Sequence, residues 1–365
     1  MAYTGLAAGN LPKGQTIHSK FGIPVRLFSD SSSNITPGTK EAKELVDTIV
    51  YILDEGSMVP RHISRIMDEL LRDLTSNDCP YGGKVFLFGG DFRQILPIQK
   101  NASRAQQVDL TLKASNLWNY MGKLFLTTNM RALPEEKEFA EFLLKVGDGS
   151  INDEHDMITI PEERICTEPL HDVIFRSSIL NKRWADLSNC AVLAPLNEMV
   201  DKWNTITLDM LPKEGEKIYY SSDSVETQRG QIDSGLFPME FINSLQPSGN
   251  LKPIFELLLS LGYPPHELRL RTHAIVMLCR NLNIKGGLAN GTRLEILQLH
   301  NYFITARILT GGRKGQIEHI PRITLRCDEE YPFTLRRHQY PIRLAFSMTI
   351  NKAQGQTLEK VYKFT

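Results

Sequence analysis

The sequence predicts an α/β protein with parallel strands, and three segments carry that reading. Lys84 to Gln99 (KVFLFGGDFRQILPIQ) holds an unbroken apolar run, Val85 to Phe88, stopped by Gly89-Gly90 and followed at once by Asp91, Arg93 and Gln94. Ile49 to Leu53 (IVYIL) repeats the design and delivers Asp54-Glu55, while the shorter Leu124 to Leu126 delivers Asn129 and Arg131 in LTTNMRA. Such runs suit strands buried on both faces. Polar groups just past the carboxyl ends of parallel strands stand where open α/β sheets bind ligands.

If the three strands are parallel neighbours, two carboxylates, an amide and a guanidinium converge on one sheet edge. That set suits phosphoryl transfer: a carboxylate to hold Mg²⁺, a second to orient or deprotonate water, an amide to sense the γ-phosphate, and an arginine to offset developing charge. Each segment taken alone is equally a strand running into a polar surface turn, and the acidic pair alone could decorate a helix start.

A chain of 365 residues has room for two or three domains with their own cores. No apolar run approaches the length of a membrane span, so no membrane partner is expected. The N-terminus, MAYTGLAAGN, lacks the basic flank and long apolar stretch of a secretory signal. The five cysteines, Cys79, Cys166, Cys190, Cys279 and Cys327, are odd in number and scattered, which points to a reducing compartment and not to a disulfide framework or a zinc site. The net charge is zero, yet Leu251 to Thr365 carries 17 Lys and Arg against 8 Asp and Glu. A basic C-terminal third is compatible with a phosphate backbone as partner and equally with a solvated surface.

In chain order, Thr4 to Ile23 mixes small residues and a glycine-rich turn with Thr16, His18, Ser19 and Phe21. Hydroxyls, an imidazole and an aromatic could grip single-stranded nucleic acid through phosphate contacts and stacking, and a capped helix start explains the same residues. Lys40 to Asp47 reads as a short helix. Arg61 to Leu74 places Ile63, Ile66, Met67, Leu70, Leu71 and Leu74 at helical spacing, a helix that packs on the sheet. Ala132 to Val146 is a second amphipathic helix, and the acidic Gly147 to Asp156 reads as a solvated turn.

Ala191 to Ala194 begins a new strand, and Asn197 to Leu211 a helix ended by Pro212. From Lys213 the texture changes to short β-prone runs: Ile218 to Tyr220, His273 to Arg280, Arg293 to Leu299 and Phe303 to Leu309. Asn290-Gly291 before one of them is a hairpin signal. Glu214 to about Leu335 therefore reads as a small, mostly β insertion, after which Ile342 to Thr349 and the loop Asn351 to Thr357 return to the α/β pattern.

In order along the chain, the DE pair in YILDEGSM, GGDFRQILPI, LTTNMRA, LAPLNEMVDKWN, FINSLQPSG, GGLANGTR and LAFSMTINKAQGQTLEKV resemble the motifs of the petite integration frequency (PIF) DNA helicases, with the branch shared with Helitron transposon helicases closest. The resemblance runs nearly end to end. It implies two RecA-like domains: residues 1–131 as the first, 132–213 and 336–365 as two parts of the second, and 214–335 as a β-rich accessory insertion.

By the same resemblance, Asp54 matches the Mg²⁺-binding aspartate and Glu55 the water-activating glutamate, Gln94 the γ-phosphate sensor, and Arg131 an arginine that contacts the γ-phosphate from the partner domain. Thr4, Gly5, His18, Ser19 and Phe21 match segments that hold single-stranded DNA. Thr349, Lys352, Gln354, Gly355 and Thr357 match the motif coupling nucleotide to DNA, with Gly355 on the nucleotide side. The resemblance implies ATP and Mg²⁺ as cofactors, single-stranded DNA and duplex junctions as partners, and 5′ to 3′ movement. It further implies roles in repair, recombination and telomere maintenance, and residence in the nucleus or the mitochondrion.

The chain also departs from that pattern. It contains no G-x-x-x-x-G-K-[S/T], the loop whose backbone N–H groups cradle the β- and γ-phosphates, and it ends before a further arginine-bearing motif. The apolar Asn250 to Tyr263 stands where relatives run almost directly on, as an extra helix or retained intron sequence. A catalytically incompetent, DNA-binding remnant of a transposon-derived helicase is the alternative expectation.

Overall fold

The structure, a computed structural model, describes residues 1–24, 27, 30–97, 102–130, 132–226, 232–233, 237–245, 263–327, 333–358 and 360–363. The chain divides into two compact units, one of Met1–Tyr3 with Gln15–Thr167 and one of Thr4–Gly14 with Glu168–Thr365.

In the first unit the strands Val50–Leu53 and Val85–Phe88 pair in parallel, Val50 opposite Val85 and Leu53 opposite Phe88. The helix Lys40–Asp47 forms where its pattern predicts, its first turn capped by Thr39, whose Oγ1 accepts the Ala42 N–H at 3.2 Å. The helix Arg61–Thr75 turns Ile63, Ile66, Met67 and Leu71 onto one face of the strand pair, where they share a core with Tyr51, Leu53 and Tyr81. Beneath it, the Tyr81 N–H donates to the buried Asp68 at 2.5 Å and the Ser64 and Tyr81 hydroxyls pair at 2.6 Å.

Two expectations are corrected here. The strands are not buried on both faces: Val50 (51% exposed), Ile52 (56%), Val85 (56%) and Leu87 (52%) stand open on the side away from the helix. Alternate strand residues face opposite ways, and among the described residues only one face has a covering layer. Leu124 to Leu126 forms no strand; the three side chains are almost wholly exposed on irregular chain. So short a run offers few ladder bonds against an existing pair.

The unit runs on to Thr167, past the boundary read after Arg131. The helix Lys137–Asp148 explains the difference: Asp148 accepts from Arg93 Nε at 2.6 Å, and Gly147 packs so closely that a Cβ there would lie 3.0 Å from Arg93 Cβ.

In the second unit, Cys190–Ala194 is the centre of a three-stranded parallel sheet between Ser347–Thr349 and Lys360–Lys363. The helix Asn197–Met210 follows it, and Asn204 locks the pattern: its amide donates to the Leu344 and Ser347 carbonyls at 3.1 Å and its Oδ1 accepts the Ser347 N–H at 2.8 Å.

The β-rich region is present, and its strands divide between two cores. Five antiparallel strands, in the order Ile317–Pro321, Phe303–Ile308, Arg293–Leu299, Ile275–Leu278 and Ile342–Leu344, share one core with the parallel sheet through Ile275, Leu294, Ile304, Val192 and Phe346. A four-stranded sheet, Ile323–Cys327, Thr334–Gln339, Ser222–Glu226 and Ile232–Asp233, has its own small core of Val225, Ile242, Tyr263, Leu325 and Leu335. Asn290-Gly291 is not a two-residue hairpin; it closes a long connection, residues 279–292, between Ile275–Leu278 and Arg293–Leu299, with Gly291 at φ +91°. Of the apolar Asn250 to Tyr263 only Tyr263 is described, its hydroxyl 2.8 Å from the Leu325 carbonyl. No helix among the described residues is long and apolar enough to cross a membrane.

Candidate functional site

Asp54 and Glu55 follow directly on the strand Val50–Leu53, beside Gly89-Gly90 at the end of its parallel neighbour. The ends are tied by backbone: Gly89 N–H donates to the Leu53 carbonyl at 2.8 Å, and Gly56 N–H donates to the Gly89 carbonyl at 2.6 Å. Glu55 takes the left-handed conformation, φ 54° and ψ 41°, uncommon for a residue with a side chain. That turn reverses the chain at once, and the Glu55 N–H donates to Asp54 Oδ1 at 3.0 Å.

Close approach requires a glycine at position 90, while Gly89 leaves space open beside the carboxylate. A Cβ on Gly90 would meet the Ser57 backbone nitrogen at 2.7 Å, and one on Gly89 would stand 3.7 Å from Asp54 Oδ1, in the space beside the carboxylate. Ser57 was not singled out from the sequence. Its side chain is buried and its Oγ finds no hydrogen-bond partner, next to the carboxylate turn.

The loop after the second strand folds on itself. Asp91 Oδ1 accepts the Arg93 N–H at 2.9 Å, the Asp91 carbonyl accepts the Gln94 N–H at 3.2 Å, and the Gln94 side chain is exposed. Asn129 accepts the Ala132 N–H at 3.1 Å, a turn-closing bond. Arg131 lies outside the described residues.

The expected DNA-holding residues separate into two sets. Thr16 caps the short helix Ile17–Phe21, its Oγ1 accepting the Ser19 N–H at 3.2 Å, so the capped helix start is what forms. Phe21 is fully buried, 5.5 Å from the Tyr51 ring, and offers no face to a base. Ser19 is exposed, and His18 is mostly buried against Tyr3, with Nε2 unpartnered. Burial holds the His18 imidazole below its ordinary pKa.

Thr4 and Gly5 belong to the second unit, where Thr4 Oγ1 accepts the Ala7 N–H at 3.2 Å and caps the helix Gly5–Gly9. Thr349 ends the strand Ser347–Thr349 opposite Ala194 and opens the helix Ile350–Ala353. Lys352 is largely buried, and loss of water depresses its ammonium below the usual lysine range. Gln354 buries an unpartnered Nε2, Gly355 takes φ +74°, and Thr357 is exposed.

Mg²⁺ bound with phosphates typically takes one or two carboxylates and keeps several waters. Asp54 and Glu55, with the space that Gly89 leaves open, fit that demand. No G-x-x-x-x-G-K-[S/T] loop occurs in these 365 residues.

Known proteins resemble this chain in sequence and in fold. Residues 1–157 match the model of the PIF1-like helicases, and residues 255–299 match that of the 2B domain of the DNA helicase Pif1. The chain is 24% identical over 422 residues to the ATP-dependent DNA helicase PIF1 of Candida albicans, covering 99% of this chain and 45% of that protein. It is 24% identical to the Danio rerio protein of the same name, covering 99% and 49%. The chain thus spans about half the length of these curated relatives.

Among solved structures, a Pif1 helicase from a study of two such helicases on forked double-stranded DNA superposes with TM-score 0.62 at 22% identity, over 99% of this chain and 74% of that one. The crystal structure of Pif1 helicase from Candida albicans gives 0.61 at 22%, over 99% and 77%. These establish the fold as the RecA-like α/β fold of those helicases.

Proposed function

We propose that this chain, which belongs to the PIF1-like helicase family, is motor sequence of an ATP-dependent DNA helicase that moves 5′ to 3′ along a single strand and opens the duplex ahead of it. The observation that carries the reading is the Asp54-Glu55 turn, held against Gly89-Gly90 by the Gly56 to Gly89 bond, within the matched residues 1–157.

The residues divide the work. Asp54 offers a carboxylate to Mg²⁺, and Glu55 orients or deprotonates water, a role its left-handed turn beside Asp54 supports. Bound Mg²⁺ would supply charge neutralisation at the phosphates. Gln94 reads the γ-phosphate state from the exposed loop, and Arg131 adds a guanidinium. Thr4, Gly5, His18, Ser19, Thr349, Lys352, Gln354 and Thr357 hold the strand, and Gly355 serves the nucleotide side. Movement follows from a conformational cycle driven by nucleotide binding and hydrolysis.

DNA as partner is supported by the relatives' names and by the basic C-terminal third, a duplex junction by the solved helicase studied on forked DNA, and a single strand by a Bacteroides Pif1 crystal structure with single-stranded DNA bound. Roles in repair, recombination and telomere maintenance, a Helitron-like origin, and residence in the nucleus or the mitochondrion rest on the family assignment alone.

Strand displacement by the protein made from the complete transcript tests the proposal. With ATP and Mg²⁺, a duplex bearing a 5′ single-stranded tail is unwound and a 3′-tailed duplex is not. Unwinding of the 3′-tailed substrate, or DNA binding without unwinding of either, overturns it; the second outcome identifies a non-catalytic DNA-binding protein.

A further inference from the structure

Three segments far apart in sequence meet in the second unit. The helix Gly5–Gly9 lies so close to the connection 279–292 that a Cβ on Gly5 would stand 3.0 Å from Asn281 Oδ1 and 3.3 Å from Ala289 Cβ. Leu6 lies 3.9 Å from the positions a Cβ would take on Gly291 and on Gly355. Gln356 Nε2 donates to the Lys352 carbonyl at 3.0 Å and reaches the Gly291 carbonyl at 3.5 Å. The connection therefore bridges Thr4-Gly5 and Thr349 to Thr357, both already assigned to the strand.

The bridge has a shape of its own. Asn281 Oδ1 accepts the Asn290 N–H at 2.8 Å, which closes the loop, and Asn283 and Leu288 exchange backbone bonds at 3.0 and 2.8 Å. Its first residue after Cys279, Arg280, follows the strand Ile275–Leu278, beside Ile342–Leu344, and lies largely buried next to the enclosed Cys279 thiol. Arg280 and Arg343 stand close enough to Lys352 to act on its charge.

Of the two arginines, Arg343 is paired, with Asp201 at 2.9 Å. Arg280 makes no ion pair among the described residues; its Nη1 reaches only the Cys279 carbonyl, at 3.4 Å. At the same junction one amide donor, Gln354 Nε2, is buried without a hydrogen-bond partner. Buried polar atoms are ordinarily satisfied, and an arginine without a carboxylate suits a phosphate.

We propose that Arg280 and Asn290 form a phosphate-contacting subsite for single-stranded nucleic acid, continuous with Lys352 and Gln354 and resting on the connection 279–292. The inference rests on the strand-binding part of the proposed function. Arg280 supplies the cation, and the Asn290 side-chain NH2 donates to a phosphate oxygen.

The test is fluorescence anisotropy of a labelled oligo-dT against the full chain, titrated at several salt concentrations, for the unsubstituted protein, Arg280→Gln, Arg280→Lys and Asn290→Asp. Arg183→Gln removes a surface arginine paired with Asp186 and serves as the charge control. Arg280→Gln weakens binding about 5- to 20-fold and lowers the salt slope by about one, while Arg183→Gln changes neither. Arg280→Lys keeps the slope, and Asn290→Asp weakens binding by repulsion at a site where no arginine is touched.

If the unsubstituted chain binds while Arg280→Gln and Asn290→Asp bind as tightly with the same slope, the subsite is wrong and the proposed function stands. If the unsubstituted chain fails to bind, both are wrong. Thermal melting of each variant identifies loss of fold. Should Arg280→Gln not fold, Asn290→Asp decides the matter: weakened binding supports the subsite, and unchanged binding overturns it.

Discussion

The Gly56 N–H donates to the Gly89 carbonyl at 2.6 Å and joins the ends of the two parallel strands at the carboxylate turn. The neighbouring glycines make separable predictions. Gly90→Ala drives a methyl against the Ser57 backbone nitrogen at 2.7 Å and is expected to destabilise the fold by about 1–3 kcal/mol in urea unfolding. Gly89→Ala meets Asp54 Oδ1 at an ordinary 3.7 Å, so stability stays within about 0.5 kcal/mol, while Mg²⁺-dependent nucleotide binding weakens because the methyl fills the space beside the carboxylate.

Arg337 and Asp223 face each other across antiparallel strands, both side chains fully buried, with Nη2 to Oδ2 at 2.7 Å. Arg337 also donates to the Leu245 carbonyl at 2.9 Å and to that of Pro264 at 3.1 Å. Asp223→Ala leaves the guanidinium without its carboxylate and should cost about 3–5 kcal/mol. Denaturant unfolding measures it; a loss below about 1 kcal/mol contradicts the pairing.

Acid should weaken the first unit through His18. Its imidazole, unpartnered at Nε2, titrates below the ordinary 6.5 because burial disfavours the charged form. The unfolded chain therefore takes up the proton first. The His18 contribution is constant above about pH 6.5 and is lost as pH falls from there toward the depressed folded value. Melting temperature between about pH 7.5 and 5 should fall less steeply in His18→Phe than in the unsubstituted protein. His62, depressed by burial and by Arg61 and Arg65, leaves a residual slope.

The open sheet face predicts self-association of the isolated chain. Ile52 and Leu87 are more than half exposed on it, and exposed apolar patches seek cover. The pair Ile52→Thr and Leu87→Thr should reduce light scattering in concentrated solution, with stability changed by no more than about 0.5 kcal/mol per site. Unchanged scattering would mean that this face is not the adhesive surface.

Thiol accessibility gives an independent check on the cores. Cys79 is exposed, whereas Cys190 and Cys279 are buried, and desolvation raises the Cys279 thiol. Iodoacetamide should modify Cys79 in the native protein and reach Cys279 only on unfolding, as read by peptide mass mapping.

Periodicity read the helices well, because an amphipathic stripe is a local property: Lys40 to Asp47 and Arg61 to Leu74 form nearly as drawn. The parallel pairing of Val50–Leu53 with Val85–Phe88 was legible too, since both runs end at polar turns. Sheet cover was not, because an apolar strand residue does not say whether a layer exists to meet it, as Ile52 and Leu87 demonstrate. Nor could sequence divide the β-rich region, whose two cores depend on strand order.

At the candidate site, Asp54-Glu55 and Gly89-Gly90 lie at the strand ends where the apolar runs put them. Phe21 misled, since an aromatic beside hydroxyls looks alike on a strand-binding loop and in a core. Ser57 and Arg280 were missed for a different reason. The signal for each is an unsatisfied or uncompensated group, visible only once its neighbours are placed.

The most direct measurement is single-strand-stimulated ATP hydrolysis by the protein made from the complete transcript, unsubstituted against Glu55→Gln. The account predicts turnover that rises with single-stranded DNA and falls on the order of 10²- to 10³-fold in Glu55→Gln, with DNA binding retained. Equal turnover in the two proteins, or DNA binding with no turnover in either, would contradict it.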